Sequence, residues 1–432
     1  GCLAMNSKQD YVTALCQFID QSPSQFHATR SIEDLLVESG FAKLDETSHW
    51  NLKPAKKYYV TRNDSAIIAF VTAKKPSPEA GFNIATAHTD SPAPKLKLKG
   101  ASFTANTIRI PVETYGGDLH STWFDRPLGI AGRIAYKAED DTIQSKLVNI
   151  QKPIAIIPSL AIHLNRNANA SNEINVQQHM AACLAGQKFE QVNETIAKEA
   201  GLEPSQILDA ELFLYDCQQA TRLGVDDSLV SAPRLDNLAA CHALTLAISK
   251  AKPTKHTQVA IFTDNEEIGS RTPQGAQSTF INTILDRITL AFSDNLENTF
   301  IARANSTLLS IDAAHAVHPN YADKHDPAYA PQINKGIVIK ANADAKYATN
   351  AVTAANFRNL CAQNGFPVQD FINRSDMPCG STIGPITAAN LGCQGLDIGA
   401  PLWAMHSARE TAGALDHKIM IEATRIFLAN RG

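Results

Sequence analysis

Val259-Ala260-Ile261-Phe262-Thr263-Asp264-Asn265-Glu266-Glu267-Ile268-Gly269 passes from a continuous apolar run into two adjacent carboxylates and then a glycine. An apolar run bounded by turn residues reads as a buried strand, and in a covered α/β sheet the chemistry gathers where such strands end. Neighbouring side chains in an extended or turning segment point in different directions, so Glu267 is free to bind a metal while Glu266 stays uncoordinated as a proton acceptor. Most Glu-Glu pairs are solvated acidic turns, so the stretch gains meaning only from its company elsewhere in the chain.

That company has one form: a strand that stops at a ligand-type residue. Residues 83–87 read as a central strand ending at His88, and Asp90 is close enough to fix the imidazole tautomer. Residues 307–311 end at Asp312, with His315 and His318 just beyond. A strand over 394–398 leads to a loop carrying His406 and then a helix over 408–429. Asp236 opens a helix over 238–250, where capping is the competing role. Strand ends thus supply two histidines, two aspartates and two glutamates. Five ligands and one base make a binuclear metal hydrolase, with ions roughly 3.5–4 Å apart bridged by a carboxylate. Oxygen and nitrogen donors without thiolate suit zinc, with cobalt or manganese as substitutes.

The remaining chain frames these positions. Helical periodicity marks 10–19 and 31–38, Ser31 capping the second, and strands are expected over 58–61 and 66–72. From about 95 to 230 the texture becomes β-rich, with alternation over 107–112, 129–136 and 146–150, a helix over 190–201 and a strand over 211–215. This unit reads as an inserted domain. Lys95-Leu96-Lys97-Leu98-Lys99 reads as the solvated face of an edge strand, and the Asn-rich run 165–175 as an exposed loop. After Pro233 helix and strand alternate again, with helices over 279–290 and 350–364 and strands over 336–340 and 368–372, as in a covered α/β sheet.

The 432 residues are 44% hydrophobic and 19% charged, enough for two domains. A net charge of −4 gives no attraction to nucleic acid or an anionic membrane, and no apolar run is long enough to span a bilayer. Eight cysteines, at positions 2, 16, 183, 217, 241, 361, 379 and 393, form no C-x-x-C pair and read as reduced thiols of a cytoplasmic protein. Residues 1–4 are too short for a signal peptide and read as extra residues ahead of a natural start at Met5.

Ala87-His88-Thr89-Asp90-Ser91, Leu235-Asp236-Asn237, Asp264-Asn265-Glu266-Glu267-Ile268-Gly269, the segment from Ile311 through His315 and His318 to Pro319, and Met405-His406-Ser407-Ala408-Arg409-Glu410 together resemble the aspartyl aminopeptidases, peptidase family M18. The likeness extends from about residue 10 to the end and includes the stretches 158–163, 335–340 and 378–385. It implies a mixed central sheet covered by helices, as in zinc aminopeptidases, with a discontinuous catalytic domain over 1–94 and 233–432. Residues 95–232 would be an inserted β-rich domain for dimerisation, and the assembly a homododecamer built from dimers. The implied activity removes an amino-terminal residue, preferentially Asp or Glu, from peptides by means of a metal-activated water and two zinc ions per subunit.

By matching motif positions, Asp236 would bridge the ions, His88 and Asp312 would complete one site, and Glu267 and His406 the other. Glu266 would be the general base, Asp90 the partner of His88, and His163 a residue that steadies the oxyanion across a subunit boundary. Lys340, at a strand end, would pair with an acidic side chain or carboxylate of the substrate, although most strand-terminal lysines are simply solvated. His315 would support the ligands from behind, and Cys379 reads as small packing rather than a nucleophile. Two other readings stay open: a related binuclear amide hydrolase with apolar preference or deacylase activity, and a non-catalytic scaffold or cargo protein. The intact Glu266-Glu267 pair argues against the scaffold.

Overall fold

The structure is a computed structural model that describes residues 10–431, so the reading of residues 1–4 and of Cys2 lies outside the described residues. Strand Ala66–Val71 is buried on both sides, and its alternate residues belong to different cores. Ile67, Ala69 and Val71 pack with Leu15, Ile32, Leu244 and Phe427 of the helices on one face. Ile68 and Phe70 pack with Phe280, Ile284 and Leu391 on the other. The two-residue strand period sends successive side chains to opposite faces, so an unbroken apolar strand requires helices on both.

Among the described residues the central sheet has nine strands, in the order Ala42–Leu44, Lys57–Arg62, Ala66–Val71, Thr257–Thr263, Phe82–His88, Thr307–Ile311, Gln394–Gly399, Ile337–Lys340 and Val368–Phe371. Its middle four are mutually parallel, while their neighbours Ala66–Val71 and Ile337–Lys340 run antiparallel to them. The sheet is therefore mixed and covered by helices. Register matters most here: Thr263 lies opposite His88, and Ser310 opposite Thr86. His88, the turn after Thr263 and Asp312 consequently leave the sheet at one carboxyl edge.

Residues between 93 and 216 form two further sheets. One has the order Ile143–Asn149, Leu128–Lys137, Ile207–Asp216, Ala93–Leu96, Val112–Tyr115; the other joins Ala182–Leu184, Thr107–Ile110 and Ser102–Thr104. They share a core of their own that includes Ile110, Ile130, Ile134, Leu212 and Leu214. Pro111, which has no amide hydrogen to give a ladder, divides the expected 107–112 strand in two. A last sheet ties Thr221–Leu223 and Leu229–Ala232 to Glu410–Gly413, Pro401–Trp403 and Ala314–His315.

Three expectations change. Strand Ala93–Leu96 is no edge, because Ile207–Asp216 and Val112–Tyr115 flank it; Lys97 and Lys99 lie beyond its end. The second helix is Gln25–Glu38, capped by Ser24 through the amide of His27, and Ser31 sits inside it, its hydroxyl meeting that of Ser22. The last helix is Ala414–Ala429, since Glu410–Gly413 is held as a strand against Leu229–Ala232. Helices Glu297–Ala304 and Ile383–Leu391 were not anticipated, and the second is largely apolar all round with no periodic signal.

Under the sheet, helix Leu235–Ser249 and the last helix bring His242 Nδ1 within 2.8 Å of His417 Nε2, both rings fully enclosed. Burial pushes the His417 pKa from its ordinary 6.5 down to about 4, and burial together with the His417 charge holds His242 well below its ordinary value too. An unfolded chain protonates His417 as pH drops below 6.5 whereas the folded protein does not until about 4, so stability is lost across that window. A His417→Gln variant should lose stability less steeply, by up to about 1.4 kcal/mol per pH unit. Urea midpoints of chelator-stripped protein at about pH 7 and about pH 5 measure it; equal slopes would refute the assignment.

Candidate metal centre

His88 is fully buried, with Nδ1 3.0 Å from the Asp90 carbonyl oxygen and 3.2 Å from Asp90 Oδ1. Both partners accept, so in the neutral ring Nδ1 carries the proton and Nε2 turns its lone pair to the sheet edge. Around Nε2 stand Asp312 Oδ1 at 3.3 Å, Asp236 Oδ1 at 3.4 Å, Glu266 Oε2 at 3.6 Å and Glu267 Oε1 at 3.9 Å. His406 mirrors this arrangement. Its Nδ1–H donates to the Gly117 carbonyl at 2.8 Å, and its Nε2 faces Asp236 Oδ2 at 3.1 Å and Glu267 Oε2 at 3.3 Å.

The backbone explains how these side chains arrive. Asn265 adopts φ +63° and Gly269 φ +102°, folding Glu266–Ile268 into one tight turn directly after the strand. The left-handed region is tolerated by Asn and costs Gly nothing. Asp90 then accepts the amides of Glu266 and Glu267, at 3.2 and 3.1 Å, on its two carboxylate oxygens. Asp236 does not cap its helix: it and Asn237 have non-helical dihedrals, and no side-chain cap bond forms. Asn237 instead donates to the Ile311 carbonyl at 3.0 Å, tying the start of this helix to the strand that ends at Asp312.

Electrostatics make the cluster unstable without a cation or protons. Burial raises the pKa of Glu266 well above the carboxylate range, with the charges of Glu267, Asp312 and Asp90 adding to it against His88. Burial and the Asp236 charge push Glu267 up to about 7. Burial works against ionised Asp236 too, yet the neighbouring imidazoles of His406 and His88 hold it far below the usual value. His406, despite burial, is raised to about 12 by Asp236 and Glu267. Among the described residues Asp236 Oδ1 is a buried oxygen with no hydrogen-bond partner, and ligand atoms of His88, Asp236 and Asp312, of His88, Glu266 and Glu267, and of Asp236, Glu267 and His406 lie within 4.8 Å of one another in each group. Aspartate, glutamate and imidazole donors arranged in this way fit zinc.

The sheet edge thus gathers His88, Asp90, Asp236, Glu266, Glu267, Asp312 and His406. Lys340 lies beneath it: its ammonium is buried, donates to the carbonyls of Asp312 and Ala313 at 3.2 Å each, and stands 5.1 Å from the Tyr347 ring centroid. It is neither solvated nor at the surface. His163 is exposed in the short turn Ile162–Leu164 and is not brought to the cluster. His315 packs its ring on Phe371, and Cys379 Sγ lies 3.5 Å from the Tyr347 hydroxyl.

The sequence model of the family described as "Aminopeptidase I zinc metalloprotease (M18)" matches residues 18–428. The chain belongs to the M18 aminopeptidases. It is therefore a metal-dependent aminopeptidase of a zinc metalloprotease family. A probable M18 family aminopeptidase 2 of Clostridium novyi is 42% identical over 420 residues, 96% of this chain and 97% of that protein. One of Ectopseudomonas mendocina is 42% identical over 98% of this chain and 99% of its own length. Among solved structures, a chain in the Ape4 and Nbr1 complex superposes with a TM-score of 0.93 at 36% identity, over 96% of this chain and 85% of that one. The S. cerevisiae mApe1 dodecamer gives 0.86 at 29%, over 98% and 97%.

In this M18 aminopeptidase the sequence had passed over Glu410 as a residue with a task. Its buried carboxylate accepts the backbone amides of Asp236 at 3.1 Å and His406 at 3.0 Å, joining two segments 170 residues apart in the chain. Its place four residues after His406, in the same motif, was the available signal. Gly117 offered none, because a carbonyl contact leaves no mark on residue type. Replacing Glu410 with Ala strands one buried and one half-buried amide, and should destabilise the protein by about 2–3 kcal/mol in urea denaturation; a loss below about 0.5 kcal/mol would contradict this.

Proposed function

We propose that this M18 aminopeptidase hydrolyses the amino-terminal residue, preferentially Asp or Glu, from peptides, at a binuclear zinc site in which cobalt or manganese can substitute. One observation carries the reading: the carboxylate of Asp236 faces His88 with one oxygen and His406 with the other. His88 and Asp312 would complete one ion's shell and Glu267 and His406 the other's, with Asp236 between them. When bound, the ions supply Lewis acidity toward the scissile carbonyl and the attacking water.

The residues supply the rest. Two of the three groups, His88–Asp236–Asp312 and Asp236–Glu267–His406, take in all five assigned ligands without Glu266, whose carboxylate, raised in pKa by burial, would take the proton of the attacking water and return it to the leaving amine. Asp90 holds the His88 tautomer and the amides of both glutamates, so ligand and base share one anchor. Lys340, held against the Asp312–Ala313 backbone, contributes positive potential beneath the pocket and favours an acidic substrate.

We further assign residues 1–94 and 233–432 to the catalytic domain and 95–232 to a dimerisation domain, in a homododecamer built from dimers. The solved mApe1 dodecamer supports this state. His163 stands in an exposed apolar stretch, between Leu160 at 62% exposure and Leu164 at 74%, as suits a residue offered to a neighbouring subunit to steady the oxyanion. Among the described residues no helix is long and apolar enough to cross a membrane. We place the enzyme in the cytoplasm, with peptides as its substrates, and neither nucleic acid nor membrane as a partner.

Glu266→Gln should lower turnover by on the order of 10²–10⁴ while zinc content stays at the parent level. Full activity would remove Glu266 from the base role. Asp236→Asn should lose zinc and activity together, read by elemental analysis and by hydrolysis of peptides; parental metal content would end the bridging assignment. Aspartyl and glutamyl p-nitroanilides should be turned over faster than leucyl p-nitroanilide. The reverse order would favour an apolar-preferring relative.

A further inference from the structure

Asp90 receives more than its neighbours in sequence provide. Oδ1 is met by His88 Nδ1 and the Glu266 amide; Oδ2 is met by the Glu267 amide at 3.1 Å and by the hydroxyl of Tyr115, which donates at 2.7 Å. Tyr115 closes strand Val112–Tyr115, whose register sets it opposite Ala93, three residues past Asp90. Its ring packs edge-on against Phe213 at 5.5 Å, which fixes the direction of the hydroxyl.

The same oxygen accepts from Asn265 Nδ2 at 3.0 Å. Asn265 is the left-handed residue that begins the glutamate turn, and its amide oxygen is held in turn by Thr272 Oγ1 at 2.8 Å and Gln274 Nε2 at 2.9 Å. One phenol therefore joins the carboxylate that orients His88 to the residue that aims Glu266 and Glu267. Just after it, Gly116 at φ +76° passes so close to Glu267 that an added Cβ would sit 3.2 Å from the Cβ of Glu267. The following residues bond to His406 on both sides: the Gly117 carbonyl takes its ring proton, and the Leu119 amide donates to its carbonyl at 3.0 Å.

We propose that Tyr115 is a positioning residue for the metal centre, and that the Tyr115–Leu119 strap carries the geometry of the β-rich region to both halves of that centre. This rests on the binuclear reading above. Without the hydroxyl, Asp90 Oδ2 keeps one donor and Asn265 Nδ2 loses its acceptor, so His88 and the glutamate turn are free to shift independently. Partners of this kind behind metal ligands typically govern affinity or activity by about 10–100-fold.

The test compares the full chain with Tyr115→Phe, which keeps the ring, and with Tyr136→Phe, which removes a hydroxyl bonded to Gln144 elsewhere in the same sheet. Three quantities are read: zinc dissociation constant by chelator competition, kcat and KM on aspartyl p-nitroanilide at saturating zinc, and the thermal midpoint of zinc-free protein. Tyr115→Phe should weaken zinc by about 10-fold or more and lower kcat by about 10-fold, with KM within about twofold and the zinc-free midpoint at the parent value. Zinc affinity and kcat matching those of Tyr136→Phe would overturn the proposal. So would a fall in the zinc-free midpoint with unchanged zinc affinity, which marks a purely structural tyrosine. Should the parent itself hydrolyse no aminoacyl anilide, the aminopeptidase reading fails while the zinc measurement still decides the role of Tyr115.

Discussion

Repulsion among carboxylates at one rim of the sheet is the condition that the architecture around it answers. Asp236, Glu266, Glu267 and Asp312 all stand within 4 Å of His88 Nε2, in surroundings that exclude most water. Their ion pairs among the described residues are with His88 and His406, not with lysine or arginine. Bringing such charges together costs free energy that only protons or cations at the centre offset. The cluster is in this sense built incomplete, and affinity for a divalent ion is the counterpart of its strain.

Holding that cluster demands anchors that do not themselves add unpaired polar groups. Asp90 and Glu410 meet the demand in the same way: each is a buried carboxylate that accepts two backbone amides of the residues it positions. Amide donors are fixed by the chain path, so they orient a carboxylate without the rotamer freedom of a lysine or arginine. Buried Lys340 follows the same logic with opposite sign, its ammonium spent on the carbonyls of Asp312 and Ala313. The scaffold thus positions the site through main chain, and the ligands stay available.

Much of this was legible beforehand because strands announce their ends. The apolar runs closing at His88, Thr263 and Ile311 had to be central, and a central parallel strand places whatever follows it at one edge. Asp236 was legible as a residue of interest and ambiguous in role, since a helix start suits a cap as well as a ligand; the kink that turns its carboxylate inward is a tertiary event. The burial of Lys340 was not legible, because a strand-terminal lysine carries no sign of the carbonyls awaiting it. The Lys95-to-Lys99 stretch failed likewise: alternation marks two faces of a strand, and only the pairing with Ile207–Asp216 and Val112–Tyr115 says how many neighbours it has.

The sequence by itself determined the covered α/β sheet, the β-rich texture of its middle third and the residue types that converge, because periodicity and strand ends are local properties of the chain. Tertiary structure alone decided which oxygen faces which imidazole, that Glu410 spans from Asp236 to His406, and that Tyr115 and Gly117 reach the centre from the β-rich region. Those contacts tie together segments tens to hundreds of residues apart, and half of them end on a backbone atom. Every residue has such atoms, so no residue letter records which of them will be used.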